Sequence, residues 1–217
     1  NSQGGINGRN IKLISLDDSY EPKYTEKNTL ELIKNKKVFA MFGYVGTPTS
    51  KAAIAITNKY NVPFIAPFTG AQFLRENNQS LIINFRNSYY AETEALVKFL
   101  VSKYDSKKIA VFYQNDSYGN TGYMGVKQAV EKEGLKIVSE GRYRRNTLQN
   151  IKLSNPDAII SIGAYKTVAS FIKSAKKEGL RNTKFCNISF VGSRALLSKL
   201  GKDSDGQLIY QGVPICG

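Results

Sequence analysis

The residues best suited to holding a small molecule are hydroxyl side chains at one predicted helix start. Thr47, Thr49 and Ser50 directly follow the apolar run over 38–44. Pro48 favours the first turn of a helix, because its φ is already helical and its missing N–H is not needed there. Hydroxyls and free backbone N–H groups at such a start suit a carboxylate or another small anion. The alternative is that Thr47 only caps the helix.

Two tyrosines occupy comparable places in the second half of the chain. Tyr118 and Tyr165 each open a predicted helix that follows an apolar run. In open parallel sheets, ligands bind beyond the carboxyl ends of the strands, where the next helices begin. Both tyrosines are therefore candidate ligand contacts. The alternative is that each ring only packs, partly buried, against its neighbours.

The composition excludes several kinds of catalytic chemistry. The chain has no His, which removes Ser–His–Asp and Cys–His nucleophile systems and His-ligated zinc. Its two cysteines, Cys186 and Cys216, are too few for a structural zinc site or a disulfide scaffold. The sequence also lacks a glycine-rich phosphate-binding loop and a G-x-S-x-G nucleophile turn. We therefore expect a non-enzyme that needs no cofactor and no metal.

The elements that must position these residues alternate along the chain. Short apolar runs predict strands over 11–16, 38–44, 62–68, 81–86, 108–114, 135–143, 157–164, 184–192 and 206–213. Longer amphipathic runs predict helices over 25–36, 48–60, 92–104, 118–134, 165–179 and 194–200. This alternation is typical of parallel sheets with helices on both faces, the doubly wound α/β class. Two sets of about four strands meet near residues 86–90, which predicts two lobes.

Basic residues exceed acidic ones, with 31 Lys and Arg against 17 Asp and Glu and a net charge of +14. They are spread along the chain, and their densest cluster, Arg142, Arg144 and Arg145, is short. This spread favours a solvated surface, with an anionic surface or partner as the alternative, and argues against nucleic-acid binding. No apolar run approaches the ~18–20 residues of a membrane span, so this segment is not expected to cross a membrane.

Six segments resemble, in the right order, the periplasmic leucine/isoleucine/valine-type solute-binding proteins. They are GGINGRNIKLISLDDSYEP, FGYVGTPTSKAA, VPFIAPFTGA, IAVFYQNDSYG, DAIISIGAY and NISFVGSRAL. The resemblance implies the type I periplasmic binding protein fold, with two doubly wound lobes that close on a ligand about a hinge. It also implies that the chain captures an amino acid, amide or small acid for the membrane subunits of an ABC importer, in the periplasm or outside the cell.

The resemblance further implies how the chain is divided. Residues 1–88 would form the first lobe without its central first strand, 89–212 the second lobe, and 213–217 the start of the hinge return. Family members have further segments before the first motif and after the hinge return. We therefore expect that a longer polypeptide contains this chain.

The family's ligand contacts fall on positions in the strand-to-helix turns. They are Thr47, Phe68, Thr69, Gly70, Tyr118, Tyr165 and Arg194. Thr47 takes the place of the carboxylate-binding hydroxyl, and Arg194 takes the place of the acid that usually holds a ligand ammonium group. An Arg cannot pair with an ammonium, so the ligand would lack one there, unless the alignment is shifted by one residue or Arg194 faces solvent.

Three function classes remain open from the sequence. The leading hypothesis is a solute-binding protein for an ABC importer, or the sensing ectodomain of a signalling receptor with the same fold. The second is a cytoplasmic amide-sensing regulator. The third, an enzyme on a doubly wound sheet, has neither a nucleophile–base pair nor a cofactor loop to support it.

Overall fold

The computed structural model describes residues 4–76, 79–143 and 146–211. The helices are α1 Pro22–Lys34, α2 Thr47–Lys59, α3 Tyr89–Tyr104, α4 Ser117–Lys132, α5 Thr147–Leu153, α6 Tyr165–Lys177 and α7 Ser193–Leu200. The strands are β1 Met41–Phe42, β2 Phe64–Ile65, β3 Ile82–Ile83, β4 Ile109–Tyr113, β5 Ile137–Arg142, β6 Ala158–Ile162, β7 Lys184–Asn187 and β8 Gln207–Ile209. Helices and strands alternate through most of the chain.

The strands form two separate parallel sheets. The first sheet has three strands in the order β1-β2-β3, and the second has five in the order β5-β4-β6-β7-β8. The predicted α/β class with parallel sheets is confirmed. In the second sheet the chain runs outward from β4 to β5 and then returns to the other side of β4. The turns after β4 and β6 therefore flank the switch in strand order, where ligands bind in such sheets.

The second sheet is buried on both faces. Every residue of β4 and β6 is buried. Val111 and Ile160 contribute to the core under α3 and α4, whereas Phe112 and Ile159 contribute to the core on the opposite face with α6. Strands covered on both faces are near-continuous apolar runs, which is why the sequence predicted them correctly.

The first sheet is smaller and less covered. Its core gathers around Met41, Phe64 and Leu74 between α1 and α2. Each of its strands is only two residues long, and Phe42 is 66% exposed. The side chains of the first sheet therefore pack mainly on one face.

The strand predicted over 11–16 is wrong. The structure assigns no regular secondary structure there, and Leu13 and Leu16 are exposed. An apolar run becomes a strand only when a neighbouring strand receives its backbone hydrogen bonds, and the residue pattern does not reveal that neighbour. The following turn is well defined, because Asp17 and Asp18 accept hydrogen bonds from the backbone N–H groups of Ser19 and Tyr20.

Several further strands are shorter than predicted. The runs over 38–44, 62–68 and 81–86 are strands only over Met41–Phe42, Phe64–Ile65 and Ile82–Ile83. The run over 184–192 is a strand only as far as Asn187, and Ser189–Val191 form a single 3₁₀ turn. The run over 206–213 is a strand over Gln207–Ile209, and its last two residues lie outside the described part. The predicted hinge return over 213–217 also lies outside it, as do Arg144 and Arg145 of the basic cluster. The division at 88/89 stays a prediction.

The two cysteines have different outcomes. Cys186 lies in β7, is buried and carries a free thiol. Burial raises the pKa of this thiol to about 12, so the thiolate needed for reactivity is disfavoured. Cys216 lies outside the described residues.

Candidate ligand-binding site

Hydroxyl groups join two loops of the first sheet. Thr47 begins α2 and is buried, and its Oγ1 lies 2.7 Å from Oγ1 of Thr69 in the loop after β2. Thr69 Oγ1 also accepts from the N–H of Ala71 at 3.2 Å and donates to the Tyr89 hydroxyl at 3.3 Å. The predicted residues Thr47 and Thr69 are therefore brought together, in a hydrogen-bonded group that reaches the first residue of α3.

Gly70 is required by a close approach between that loop and α3. Its carbonyl accepts from the backbone N–H of Tyr89 at 2.7 Å. A Cβ at Gly70 would lie 2.6 Å from Cδ1 and 2.8 Å from the backbone nitrogen of Tyr89. Any larger residue would push the loop away from α3.

Four aromatic rings connect the loops of the two sheets. The Phe68 ring, on the first-sheet side, lies 5.7 Å from the Phe190 ring in the 3₁₀ turn after β7. Phe190 in turn lies 4.7 Å from Tyr118, and Tyr118 lies 5.4 Å from Tyr89. We call Phe68, Tyr89, Tyr118 and Phe190 the aromatic cluster. Such ring pairs favour association beyond the apolar area that they bury.

Within the aromatic cluster, Tyr118 has a buried hydroxyl that makes no hydrogen bond to the described residues. It is 1% exposed, and its hydroxyl has no hydrogen-bond partner among the described residues. Burial raises the pKa of this hydroxyl well above its ordinary value. A buried hydroxyl left without a partner costs free energy. A polar group of a ligand at this place would remove that cost.

Asp116 stabilises the turn next to Tyr118 through hydrogen bonds. Its Oδ1 accepts from the N–H of Gly119 at 2.9 Å, which caps α4, and its Oδ2 accepts from Gln114 Nε2 at 2.6 Å. Both oxygens of this carboxylate are therefore engaged in local structure. Asp116 orients the turn and is not a dedicated partner for a ligand ammonium.

Tyr20 also lies near Tyr118 and Asp116, and the sequence analysis did not identify it. Its ring packs against Gly46, where a Cβ would collide with it. Its hydroxyl is buried without a hydrogen-bond partner in the described part of the chain. Burial, followed by the negative charge of Asp116, raises the pKa of this hydroxyl. Tyr20 lies inside a segment that carries the family resemblance, but it is not among the ligand contacts that the resemblance implied.

A second group of polar side chains joins the two sheets beside the aromatic cluster. Glu92 in α3 is buried, and its carboxylate accepts from the backbone N–H of Ser189 at 2.8 Å and from Ser189 Oγ at 2.7 Å. Arg86 Nη2 donates to the same Ser189 Oγ. Burial raises the pKa of Glu92, and the Ser189 hydrogen bonds and the charges of Arg86 and Arg75 oppose that rise.

The Arg86 guanidinium also stacks on the aromatic cluster. Its central carbon lies 4.0 Å from the centroid of the Phe68 ring. A cation over an aromatic face is stabilised by the ring's negative face. Arg86 stands at the carboxyl end of the predicted strand over 81–86, a position that would have identified it as a candidate.

A family model described as periplasmic binding protein matches residues 1–214. This chain belongs to the periplasmic binding protein family. The Leucine-, isoleucine-, valine-, threonine-, and alanine-binding protein of Pseudomonas aeruginosa is 24% identical over 214 residues, covering 96% of this chain and 57% of that protein. The Leu/Ile/Val-binding protein of Escherichia coli K12 is 21% identical over 215 residues, covering 96% and 58%.

Solved structures agree with this assignment. A possible leucine/isoleucine/valine-binding protein from Rhodopirellula baltica is 36% identical, with a TM-score of 0.90, over 98% of this chain and 60% of that one. A leucine-binding protein from Thermotoga maritima is 19% identical, with a TM-score of 0.85, over 97% and 62%, and shows the shared fold. The chain thus spans about 60% of the length of the proteins that it matches. The predicted family resemblance is confirmed.

Within this periplasmic binding protein fold, Tyr165 and Arg194 lie apart from the aromatic cluster. Tyr165 begins α6 at the carboxyl end of β6, and its half-buried ring packs on the core beneath that helix. Arg194 is the second residue of α7 and is exposed. Among the described residues, no hydrogen bond or ring contact joins either side chain to the aromatic cluster. Their assignment to the ligand stays a prediction.

Two surface cavities lie elsewhere. One, of about 700 Å³, is lined by residues at the ends of β4 and β5 and in α5, including Tyr113, Arg142 and Thr147. The other, of about 260 Å³, lies between α3 and α4, beside Glu94 and Lys132. None of the predicted site residues lines either cavity.

Over the described ranges, none of the helices is both long and apolar enough to traverse a bilayer. In the same part of the chain, no group of three or more His, Cys, Asp or Glu side chains is arranged to hold a metal ion.

Proposed function

We propose that this chain is the ligand-binding portion of an extracytoplasmic solute-binding protein. It captures an amino acid or a related small polar or carboxylate ligand between two lobes, residues 1–88 and 89–212, and delivers it to an ABC-type importer. The observation that carries the proposal is the buried hydroxyl of Tyr118, which has no hydrogen-bond partner among the described residues and lies in a cluster that connects both sheets. The names of the P. aeruginosa and E. coli relatives support an amino-acid-like ligand.

The contacts between the two sheets support capture by closure. Phe68 and Phe190 come from different sheets, and α2 lies against α4. A ligand that touches both sides binds the closed arrangement better than an open one, and so shifts the population towards closure. Membership of the periplasmic binding protein family supports binding without turnover.

Isothermal titration calorimetry of the purified full-length protein tests this proposal. We expect one saturable ligand in a panel of amino acids, their amides and small carboxylates. Tyr118→Phe removes only the hydroxyl and should weaken that ligand by about three- to tenfold, the usual worth of a neutral hydrogen bond.

Tyr104→Phe is the matched control, since Tyr104 ends α3 and is 38% exposed. It should bind like the unaltered protein. Equal affinity of the Tyr118→Phe protein would contradict the assigned site, and sustained consumption of the ligand would contradict the binding role.

A further inference from the structure

Arg86 is a partly buried cation whose hydrogen-bonding capacity is largely unused. Nη2 donates to Ser189 Oγ, but Nε and Nη1 are buried and have no hydrogen-bond partner among the described residues. Nε carries one hydrogen and Nη1 carries two. Donors of a charged group that are removed from water and left unpaired are costly. Another acceptor is therefore expected at this place.

The charges around Arg86 do not balance. Arg75 lies beside it and donates to the carbonyl oxygens of Ala71 at 2.8 Å and of Arg86 at 2.6 Å. The facing acid is Glu92, whose two oxygens accept from Ser189. In the described residues no salt bridge joins Glu92 to either arginine. Two guanidinium groups thus share one carboxylate that they do not contact directly.

In the described chain, the neighbouring side chains supply two unpartnered hydroxyls. The Tyr118 and Tyr20 hydroxyls have no partner in the described chain, and each can donate. Asp116 already accepts from Gly119 and Gln114. Positive charge from Arg75 and Arg86 disfavours a ligand ammonium here, whereas a carboxylate would supply both the missing charge and the missing acceptor.

We propose that Arg86 binds the carboxylate of the ligand, and that the ligand is an organic acid with an apolar or aromatic body and no α-ammonium group. The Phe68 ring, stacked on Arg86, and the Phe190 ring form an apolar surface next to that carboxylate. This inference rests on the proposed function and narrows its ligand class.

Calorimetry on the full-length protein with matched probes tests whether a carboxylate, an amide or an α-ammonium group is recognised. One set is isocaproate, its amide and L-leucine; the other is hydrocinnamate, its amide and L-phenylalanine. In at least one set, the acid should bind at least about tenfold more tightly than its amide, as expected for a charged hydrogen bond. The acid should also bind at least as tightly as the amino acid.

Variants then test Arg86 itself. Arg86→Gln should weaken the acid by about tenfold or more and leave the amide unchanged, and Arg86→Lys should recover part of the loss because it keeps the charge. Arg181→Gln is the control, because Arg181 is exposed at the opposite end of the second sheet, before β7 begins. It should bind both probes as the unaltered protein does.

Three outcomes overturn this inference without touching the proposed function. The first is an equal loss of affinity for acid and amide in Arg86→Gln, which would show that Arg86 affects only the packing between the two sheets. The second is an amino acid that binds about tenfold better than its acid. The third is failure of both acids while another ligand of the wider panel binds. The acid–amide comparison needs no variant, so it tests recognition of the carboxylate even where Arg86→Gln does not fold. Failure of the whole panel overturns both proposals.

Discussion

The two sheets differ in how completely their strands are covered. The five-stranded sheet buries every residue of β4 and β6 between helices on both faces. The three-stranded sheet leaves large apolar side chains in solvent, among them Phe39 at 88%, Phe42 at 66% and Phe85 at 71% exposure. Over the residues that the structure describes, the five-stranded sheet is therefore the better covered of the two.

The difference also concerns the ligand site. The first sheet contributes hydroxyls and backbone, through Thr47, Thr69 and Gly70. The second contributes the buried ring of Tyr118 and the 3₁₀ turn with Ser189. The two sheets therefore contribute different kinds of groups to the proposed site.

The largest expected effect on the free energy of unfolding comes from truncating a buried core side chain. Ile160→Ala in β6 removes a fully buried side chain and should lower the free energy of unfolding by about 2–5 kcal/mol. Phe42→Ala in β1 removes a larger but mostly exposed side chain and should cost less than about 1 kcal/mol. Urea titrations of both proteins, followed by circular dichroism, provide the comparison. Similar losses would show that the two sheets are equally consolidated.

The next effect concerns Glu92, which links α3 of the second-sheet region to Ser189. Burial raises the pKa of this carboxyl in the folded state, so the folded protein holds a proton more tightly than the unfolded chain does. The stabilisation from that proton is fully present below the unfolded pKa of about 4.5 and is lost as the pH rises through the folded pKa. The unaltered protein should thus lose part of its stability as the pH rises above about 4.5 and through the raised pKa of Glu92.

Glu92→Gln should remove that part of the pH dependence, and should cost about 1–3 kcal/mol near neutral pH because an amide nitrogen cannot accept from Ser189. Urea midpoints across this pH range measure both effects. Glu94→Gln, which removes the ion pairs of Glu94 with Lys98 and Lys132, is the control and should change stability little near neutral pH, because exposed ion pairs contribute little. If Glu92→Gln keeps the full pH dependence, another group is responsible for it.

The smallest effect concerns the polar contact between the two regions at Asn87. Its Nδ2 donates to the Tyr210 hydroxyl at 2.7 Å in an exposed position. Asn87→Ala should lower stability by about 0.5–1 kcal/mol, because water replaces most of an exposed hydrogen bond. Tyr210→Phe removes the same bond from the other side and should match it. A double variant that simply adds the two losses would show that the contact contributes nothing.

Local residue patterns were enough for the second sheet and for part of the site. The apolar runs over 108–114 and 157–164 correspond to β4 and β6, because a strand buried on both faces is a near-continuous run of apolar residues. Thr47 and Tyr118 were found for a similar reason, since each begins a helix directly after a strand. Gly70 came from the family resemblance, and the structure supplies its reason in the close approach of Tyr89.

The sequence by itself therefore determined the α/β class, the order of most elements and the turns that we propose to face the ligand, because all of these depend on residues close together in the chain. Only the tertiary structure decided that the run over 11–16 is not a strand and that Arg86, rather than Arg194, stacks on the aromatic cluster. Arg86 and Ser189 are 103 residues apart. Their contact depends on how two sheets meet, and no local pattern of side chains contains that information.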